Sequence, residues 1–386
     1  MIKTEKADRI IQTYIERLIL PSPPLQPLWN CENMIFSKKP KWNYIDSCMI
    51  NAVIMMYELS GDERLYEYVR RFVDSYVDEN GQIPTLNISD YNLDNIAGGR
   101  NLLFLFGHTH EEKYLIAAGR LFSQLKNQPR LKCGNFFHKA VYPYQIWLDG
   151  TYMSFPFMIR YAVTAGESSV YGDVLNQLEN IRRYMKDGCT GLYYHAYDES
   201  RSSFWSDSDT GLSEECWLRS IGWYCAALAD IYELSDDKNL CDFCRISLSE
   251  LLTSLSGYIT DGMLYQLPSK PELHGNYPET SGTLLFSYAA LKGYRSGICS
   301  GNIKEKALES ISAVTEKYIT FSEDGLPILK NICLMAGLGG ESRRNGSAVY
   351  YLSEPVVEND AKGIAPYFMA YTEMIQTNLQ KQTKKT

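Results

Sequence analysis

Residues 44–81 read YIDSCMINAVIMMYELSGDERLYEYVRRFVDSYVDENG. Residues 44–59 are apolar at helical spacing and end at Ser60-Gly61-Asp62, a turn that also supplies a cap for the next helix. Residues 63–77 carry Leu65, Val69, Phe72, Val73 and Tyr76 on one face, until Glu79-Asn80-Gly81 stops them. This is a helical hairpin, its first helix apolar nearly all round and its second amphipathic.

The unit recurs. Residues 94–106 and 111–126 flank His108-Thr109-His110, and 150–164 and 169–186 flank Gly166. Residues 213–234 and 238–256 flank Ser235-Asp236-Asp237, and 280–296 and 303–318 flank a Gly/Ser turn. The last helix, 361–378, has no partner after it, and the amphipathic helix 4–19 has none before it, so the two termini pair. Six hairpins at a period of roughly 50 residues predict a closed all-α ring rather than a bundle. The apolar helices sit inside and the amphipathic ones outside. We expect one domain spanning 1–386, with a Pro-rich connector from Pro21 to Pro27 and a disordered basic tail at 380–386. Gly262 to Leu267 is the one short strand expected.

The long loops 80–93, 127–149, 187–212, 257–279 and 319–360 all precede inner helices. They gather at one end of the ring, beside helix N-termini that favour anions. Composition narrows the function. A net charge of −8 without a basic stripe argues against nucleic acid. No apolar run reaches membrane length, and the first 20 residues are too charged for a signal peptide. Ten scattered cysteines include one CxxC, Cys241 and Cys244, inside a helical pattern, which reads as reduced thiols. Together these predict a cytoplasmic protein, monomer or homodimer. No metal-ligand spacing, phosphate loop, dinucleotide fingerprint or nucleophile elbow is present, so no metal or cofactor is expected.

The chemistry concentrates in the loops. Residues 142–153, YPYQIWLDGTYM, set Asp149 between Trp147-Leu148 and a glycine, just before an apolar helix. An acid among aromatic rings is kept protonated by burial, although an aspartate here also reads as a helix N-cap. Asp94 stands at another helix start. Two carboxylates facing each other would raise one pKa, and a plain cap is again the alternative. His138 and Lys139 add cations near Trp147, a combination that suits an acidic sugar. Residues 193–223 contain His195, Trp217, Arg219 and Trp223. Arg219 and Trp223 share a helical face while Trp217 leans away. An arginine beside tryptophans suits a carboxylate on a stacked ring, and a pair with Glu214 or Glu215 is the alternative. Tyr44 lines either the pocket or the core. Residues 350–363 read as a structural network in preference to a lid.

These residues form motifs. Phe137-His138-Lys139 with Tyr142-Pro143, Trp147 to Met153, His195 to Glu199, Trp217 with Arg219 and Gly222-Trp223-Tyr224, and Ser353 to Asp360 with Lys362-Gly363 occur in that order. Their arrangement resembles the unsaturated rhamnogalacturonyl hydrolases of glycoside hydrolase family 105, over nearly the full chain. The resemblance implies an (α/α)6 barrel. It also implies a substrate left by a polysaccharide lyase, an oligosaccharide ending in a 4,5-unsaturated uronic acid. Such enzymes hydrate the enol ether. By analogy Asp149 protonates C4 and then activates water for C5, with Asp94 assisting. His195, Arg219 and Trp223 would hold the uronate, Trp147 and Tyr44 would wall the pocket, Lys139 and Trp217 would reach toward the next sugar, and His138 and Met153 would also bind substrate. Phe137 and Tyr197 stand where the family favours tryptophan, and Leu218 where glycine is common. These departures bear on the leaving sugar. The sister unsaturated glucuronyl hydrolases fit the motifs less well. An ordinary inverting glycosidase, an epimerase and a non-catalytic sugar-binding ring are the other readings of the same residues.

Overall fold

The structure, a computed structural model, describes residues 5–383. The chain opens with α1 (Glu5–Tyr14) and a short α2 (Cys31–Ile35). Five hairpins come next: α3 (Tyr44–Ser60) with α4 (Glu63–Asp74), α5 (Gly99–Thr109) with α6 (Glu112–Lys126), and α7 (Gly150–Ala165) with α8 (Ser169–Met185). The remaining two are α9 (Leu218–Leu234) with α10 (Lys238–Ser256), and α11 (Thr280–Arg295) with α12 (Gly301–Ala313). A one-turn α13 (Ala348–Ser353) and a long α14 (Ala361–Thr383) complete the chain.

The inner helices α3, α5, α7, α9, α11 and α14 touch in turn, and α14 returns to α3, so the ring closes. Each of α4, α6, α8, α10 and α12 lies against its own inner partner. The sixth outer helix is α1: Tyr371 of α14 donates to Asp8 at 2.9 Å, and the Tyr14 ring lies 6.3 Å from Phe368. The fold is the six-hairpin α/α toroid.

Local chemistry sets the element ends. The Asn43 side chain accepts from the Asp46 N–H at 3.0 Å to start α3, and Gly61, at φ +67°, ends it. Asp62 then caps α4 through the Arg64 N–H. Burial follows the hydrophobic pattern. Every residue of α9 from Leu218 to Ile231 is buried, whereas α4 buries only Leu65, Tyr68, Val69, Phe72 and Val73. Within the ring, Asp230 in the last turns of α9 binds Arg100 at the start of α5 at 3.0 Å and Lys292 in the last turn of α11 at 2.8 Å, all three buried.

Some expectations need correction. Residues 213–217 are not helical, and Trp217 is extended (φ −87°, ψ 128°) before α9 begins. Gly262–Leu267 forms only isolated bridges, Thr260 with Met263 and Tyr265 with Pro278, because Asp261 and Gly262 both take positive φ and fold the chain back. The expected basic tail is helical as far as Thr383, and 384–386 lie outside the described residues. Short antiparallel strands instead knit the loops: β1 (Gln145–Trp147) pairs with β2 (Ala196–Asp198), β3 (Ile319–Phe321) with β4 (Pro327–Leu329), and β5 (Ile332–Cys333) with β6 (Val356–Val357). The β1–β2 ladder ties the loop leading to α7 to the loop leading to α9.

Candidate active site

At the loop end, the ring holds a cavity of about 720 Å³ including its open mouth. Asp149, Asp94, Tyr44, His138, Lys139, Trp147, Met153, Trp217, Arg219 and Trp223 all line it. His195 lies just behind, fully buried, against Asp149 and Trp147. All the residues selected from the sequence thus come together.

Asp149 occupies the residue before α7, but its carboxylate makes no capping bond, and its backbone is already helical. The cap reading therefore fails. Its Oδ2 stands 3.1 Å from His195 Nε2. Neither atom has an in-line hydrogen-bond partner, although both are buried. Hydrogen-bonding capacity is thus unspent where Asp149, at the cavity, meets His195 behind it. The other ring nitrogen, Nδ1, is 2.6 Å from the Tyr351 hydroxyl. Burial pushes the Tyr351 pKa well above its ordinary value, so the hydroxyl stays neutral. The β1–β2 register aligns this pair, with Trp147 opposite Ala196, and the Leu148 N–H donates to the His195 carbonyl at 2.9 Å.

Asp94 is not a cap either. Asn92 fills that role, accepting from the Asp94 N–H at 3.0 Å. The Asp94 carboxylate instead takes the Lys139 ammonium at 2.6 Å and lies 3.5 Å from His138 Nε2. Burial alone would raise its pKa. Lys139 and His138 outweigh burial, and the result is lowered. Repulsion between carboxylates therefore does not govern Asp94, which meets cations instead. His138 stacks on Trp147, centroids 4.7 Å apart at 12°, and burial lowers its pKa from 6.5 to about 4 despite Asp94. It is a neutral ring at neutral pH.

Arg219 is buried, and its Nη1 donates to Ser281 Oγ at 3.3 Å and to the Cys333 carbonyl. Its Nε and Nη2 bond to no described residue. Burial opposes the charge, but Cys333 and Glu279 beside it raise the pKa, so the guanidinium remains a cation. The alternative pair with Glu214 or Glu215 is absent, since Glu215 binds Lys270 at 2.5 Å. Trp217 does not lean away: the Arg219 guanidinium lies over its ring at 4.9 Å. The extended backbone at Trp217 explains this, because helical spacing does not govern a residue outside the helix. Trp223 stacks on Tyr152 at 4.5 Å, and the Arg100 guanidinium sits over the Tyr152 ring at 4.3 Å.

Other residues reach the site. Tyr351 and Arg344 come from the 319–360 loop, whose Met335, Ala336 and Gly337 also line the cavity. Tyr142 stacks on Trp147 at 4.9 Å. Glu32 lines the wall while binding Lys362 at 2.9 Å, and Lys362 also binds buried Asp360 at 3.0 Å. Within 350–363, Asp360 and Lys362 form the structural network expected, while Tyr351 reaches the site. No local pattern marks Glu32 or Arg344, and only closure of the ring brings them in. The Gly339-Gly340 pair, both at positive φ, was the available sign that the loop turns sharply before Arg344.

A family model described as Glycosyl Hydrolase Family 88 matches residues 27–378. The chain belongs to this family. The family 88 hydrolase is also 34% identical to the structure of a C. acetobutylicum glycoside hydrolase from family 105, with a TM-score of 0.86 over 97% of this chain and 100% of that one. The unsaturated rhamnogalacturonyl hydrolase YesR of Bacillus subtilis is 26% identical over 49% of this chain and 52% of its own length. An unsaturated glucuronyl hydrolase from Bacillus sp. GL1 shares the fold, with a TM-score of 0.65 at 14% identity over 86% of each chain.

Proposed function

We propose that this hydrolase removes the terminal 4,5-unsaturated uronic acid from lyase-generated rhamnogalacturonan oligosaccharides, and does so in the cytoplasm, where its ten free thiols are at home. The observation that carries the reading is the Asp149–His195 pair, whose facing atoms are unspent, beside the free edge of Arg219. The uronate carboxylate takes the Nε and Nη2 donors of Arg219, with Trp217 and Trp223 as walls. Asp149 gives its proton to C4 as the enol ether's electron pair moves to take it, and positive charge develops at C5. The resulting carboxylate takes a proton from water as the water oxygen bonds to C5. The hemiketal then opens and the glycosidic link breaks. Tyr351 holds His195, and His195 holds Asp149 in line. No carboxylate attacks the anomeric carbon, so the separation rule for ordinary glycosidases does not govern this site.

The test is incubation with lyase-digested rhamnogalacturonan, following the ultraviolet absorbance of the enol ether and the product masses. Absorbance falls and the product loses one uronate. Asp149→Asn abolishes the change while the fold, read by circular dichroism, persists. Unchanged turnover in that variant refutes the assignment. A saturated oligosaccharide of the same length stays intact, and its cleavage would point instead to an ordinary glycosidase.

A further inference from the structure

A second concavity lies beside the catalytic cavity, about 1390 Å³ including open solvent, and the two share Tyr142 and Arg344. Tyr142 and Arg344 thus stand at the boundary of both spaces. Tyr142, stacked on Trp147 at 15°, forms a flat step between them. Beyond it, Phe204 is 51% exposed, and Ser203, whose hydroxyl accepts from the buried Gln145 amide at 3.1 Å, lines the groove. Ring faces beside neutral polar groups suit a sugar, which has an apolar C–H face and hydroxyl edges.

Arg344 is the cation of this passage. Its Nε donates to Ser342 Oγ at 3.0 Å, and among the described residues no carboxylate lies within ion-pair distance, 4.0 Å. Gly337 admits it: a Cβ there would stand 2.8 Å from Arg344 Nη1 and 3.3 Å from the Trp147 ring. The groove's carboxylate, Glu341, is exposed to solvent, whereas Arg344 is half-buried. A partly desolvated guanidinium with free donors binds a carboxylate through two parallel bonds. We infer that the groove seats the sugars following the unsaturated ring and that Arg344 binds the carboxylate of an acidic one. This deepens the proposed function and rests on it. The preferred substrates are oligosaccharides that carry a further uronate beyond the first leaving sugar.

The experiment uses the full chain and three substrates: an unsaturated disaccharide, an unsaturated tetrasaccharide with an internal uronate, and the same tetrasaccharide with a neutral sugar in the uronate's place. Enol-ether absorbance gives kcat and KM for each. The acidic tetrasaccharide is favoured over the neutral one by about tenfold in kcat/KM, mostly through KM. Arg344→Gln brings the ratio close to one, and Arg344→Lys keeps part of it. The ratio is internal to each variant, so loss of folded protein cancels. Equal use of the two tetrasaccharides by the wild type overturns the inference, as does an unaltered ratio in Arg344→Gln. If the disaccharide is consumed, either result leaves the proposed function standing. If no substrate is consumed, the proposed function falls and the inference falls with it.

Discussion

Acid should loosen this protein at the candidate active site, through His138. Its ring is stacked on Trp147 with Nε2 facing Asp94, and its pKa falls from 6.5 to about 4 because burial penalises the cation. The folded state therefore resists a proton that the unfolded chain accepts. This stability is present above pH 6.5 and is lost as pH falls toward 4. At ~1.4 kcal/mol per tenfold in proton affinity, the whole window is worth about 3 kcal/mol. Asp46 acts in the opposite sense. Burial raises its pKa from 3.8 to about 6, so its protonation favours the folded state over much of the same range. Only a difference between variants isolates His138. His138→Phe keeps a ring against Trp147 and cannot titrate. Thermal unfolding of both proteins between pH 7.5 and 4.5 reads the effect. For 386 residues, a typical unfolding entropy converts the shift to roughly 4 °C. The melting temperature of the wild type should fall relative to the variant by about that amount. Parallel curves would refute the reasoning.

Two further outcomes rest on named contacts. Tyr351→Phe removes the hydroxyl 2.6 Å from His195 Nδ1, so kcat on the unsaturated disaccharide should fall roughly tenfold while KM changes little; an equal rise in KM would show that Tyr351 serves binding instead. Asp230→Asn removes the buried charge that joins Arg100 to Lys292, and should cost about 3 kcal/mol, read as a lower melting temperature with the pH profile of turnover unmoved.

The ring was legible because each hairpin carries its own punctuation. Gly61 and Gly166 take the left-handed conformation that ends α3 and α7, and the difference between all-apolar and amphipathic helices separates inside from outside. The site residues were legible as motifs, but spacing misleads about their local roles wherever tertiary contacts override it. Asp149 and Asp94 resemble caps because they precede helices. Asn92 takes the second cap, and Asp149 is left free because its helix begins without one. Helical spacing gives Trp217 a direction that its extended backbone does not keep. Tyr351 was singled out only within a stretch read as structural, and Arg344 was unmarked, because the loop that carries them is placed by the β5–β6 ladder and by Asp360 and Lys362, contacts between residues far apart in sequence.

The ion pair at Asp94 bears on how many acids the reaction can use. An ordinary glycosidase divides labour between two carboxyl groups, one protonated and one not. Here Asp94 is held as an anion by the Lys139 ammonium at 2.6 Å, which neutralises it and lowers its proton affinity. It is therefore a poor proton donor, and as a base it would first have to shed its lysine. Its Oδ1 is turned toward His138, a neutral ring whose own pKa is too low to serve as an acid at neutral pH. The proposed reaction therefore assigns proton transfer to Asp149, whose Oδ2 is tied to no lysine or arginine and stands 3.1 Å from His195 Nε2. One carboxyl group that must both give and take a proton suits addition of water across a double bond, where protonation at one carbon is followed by hydration at its neighbour. It suits direct displacement poorly, because a single group cannot protonate the leaving oxygen and activate water on the opposite face at once. The charge arrangement is thus consistent with the hydration proposed above.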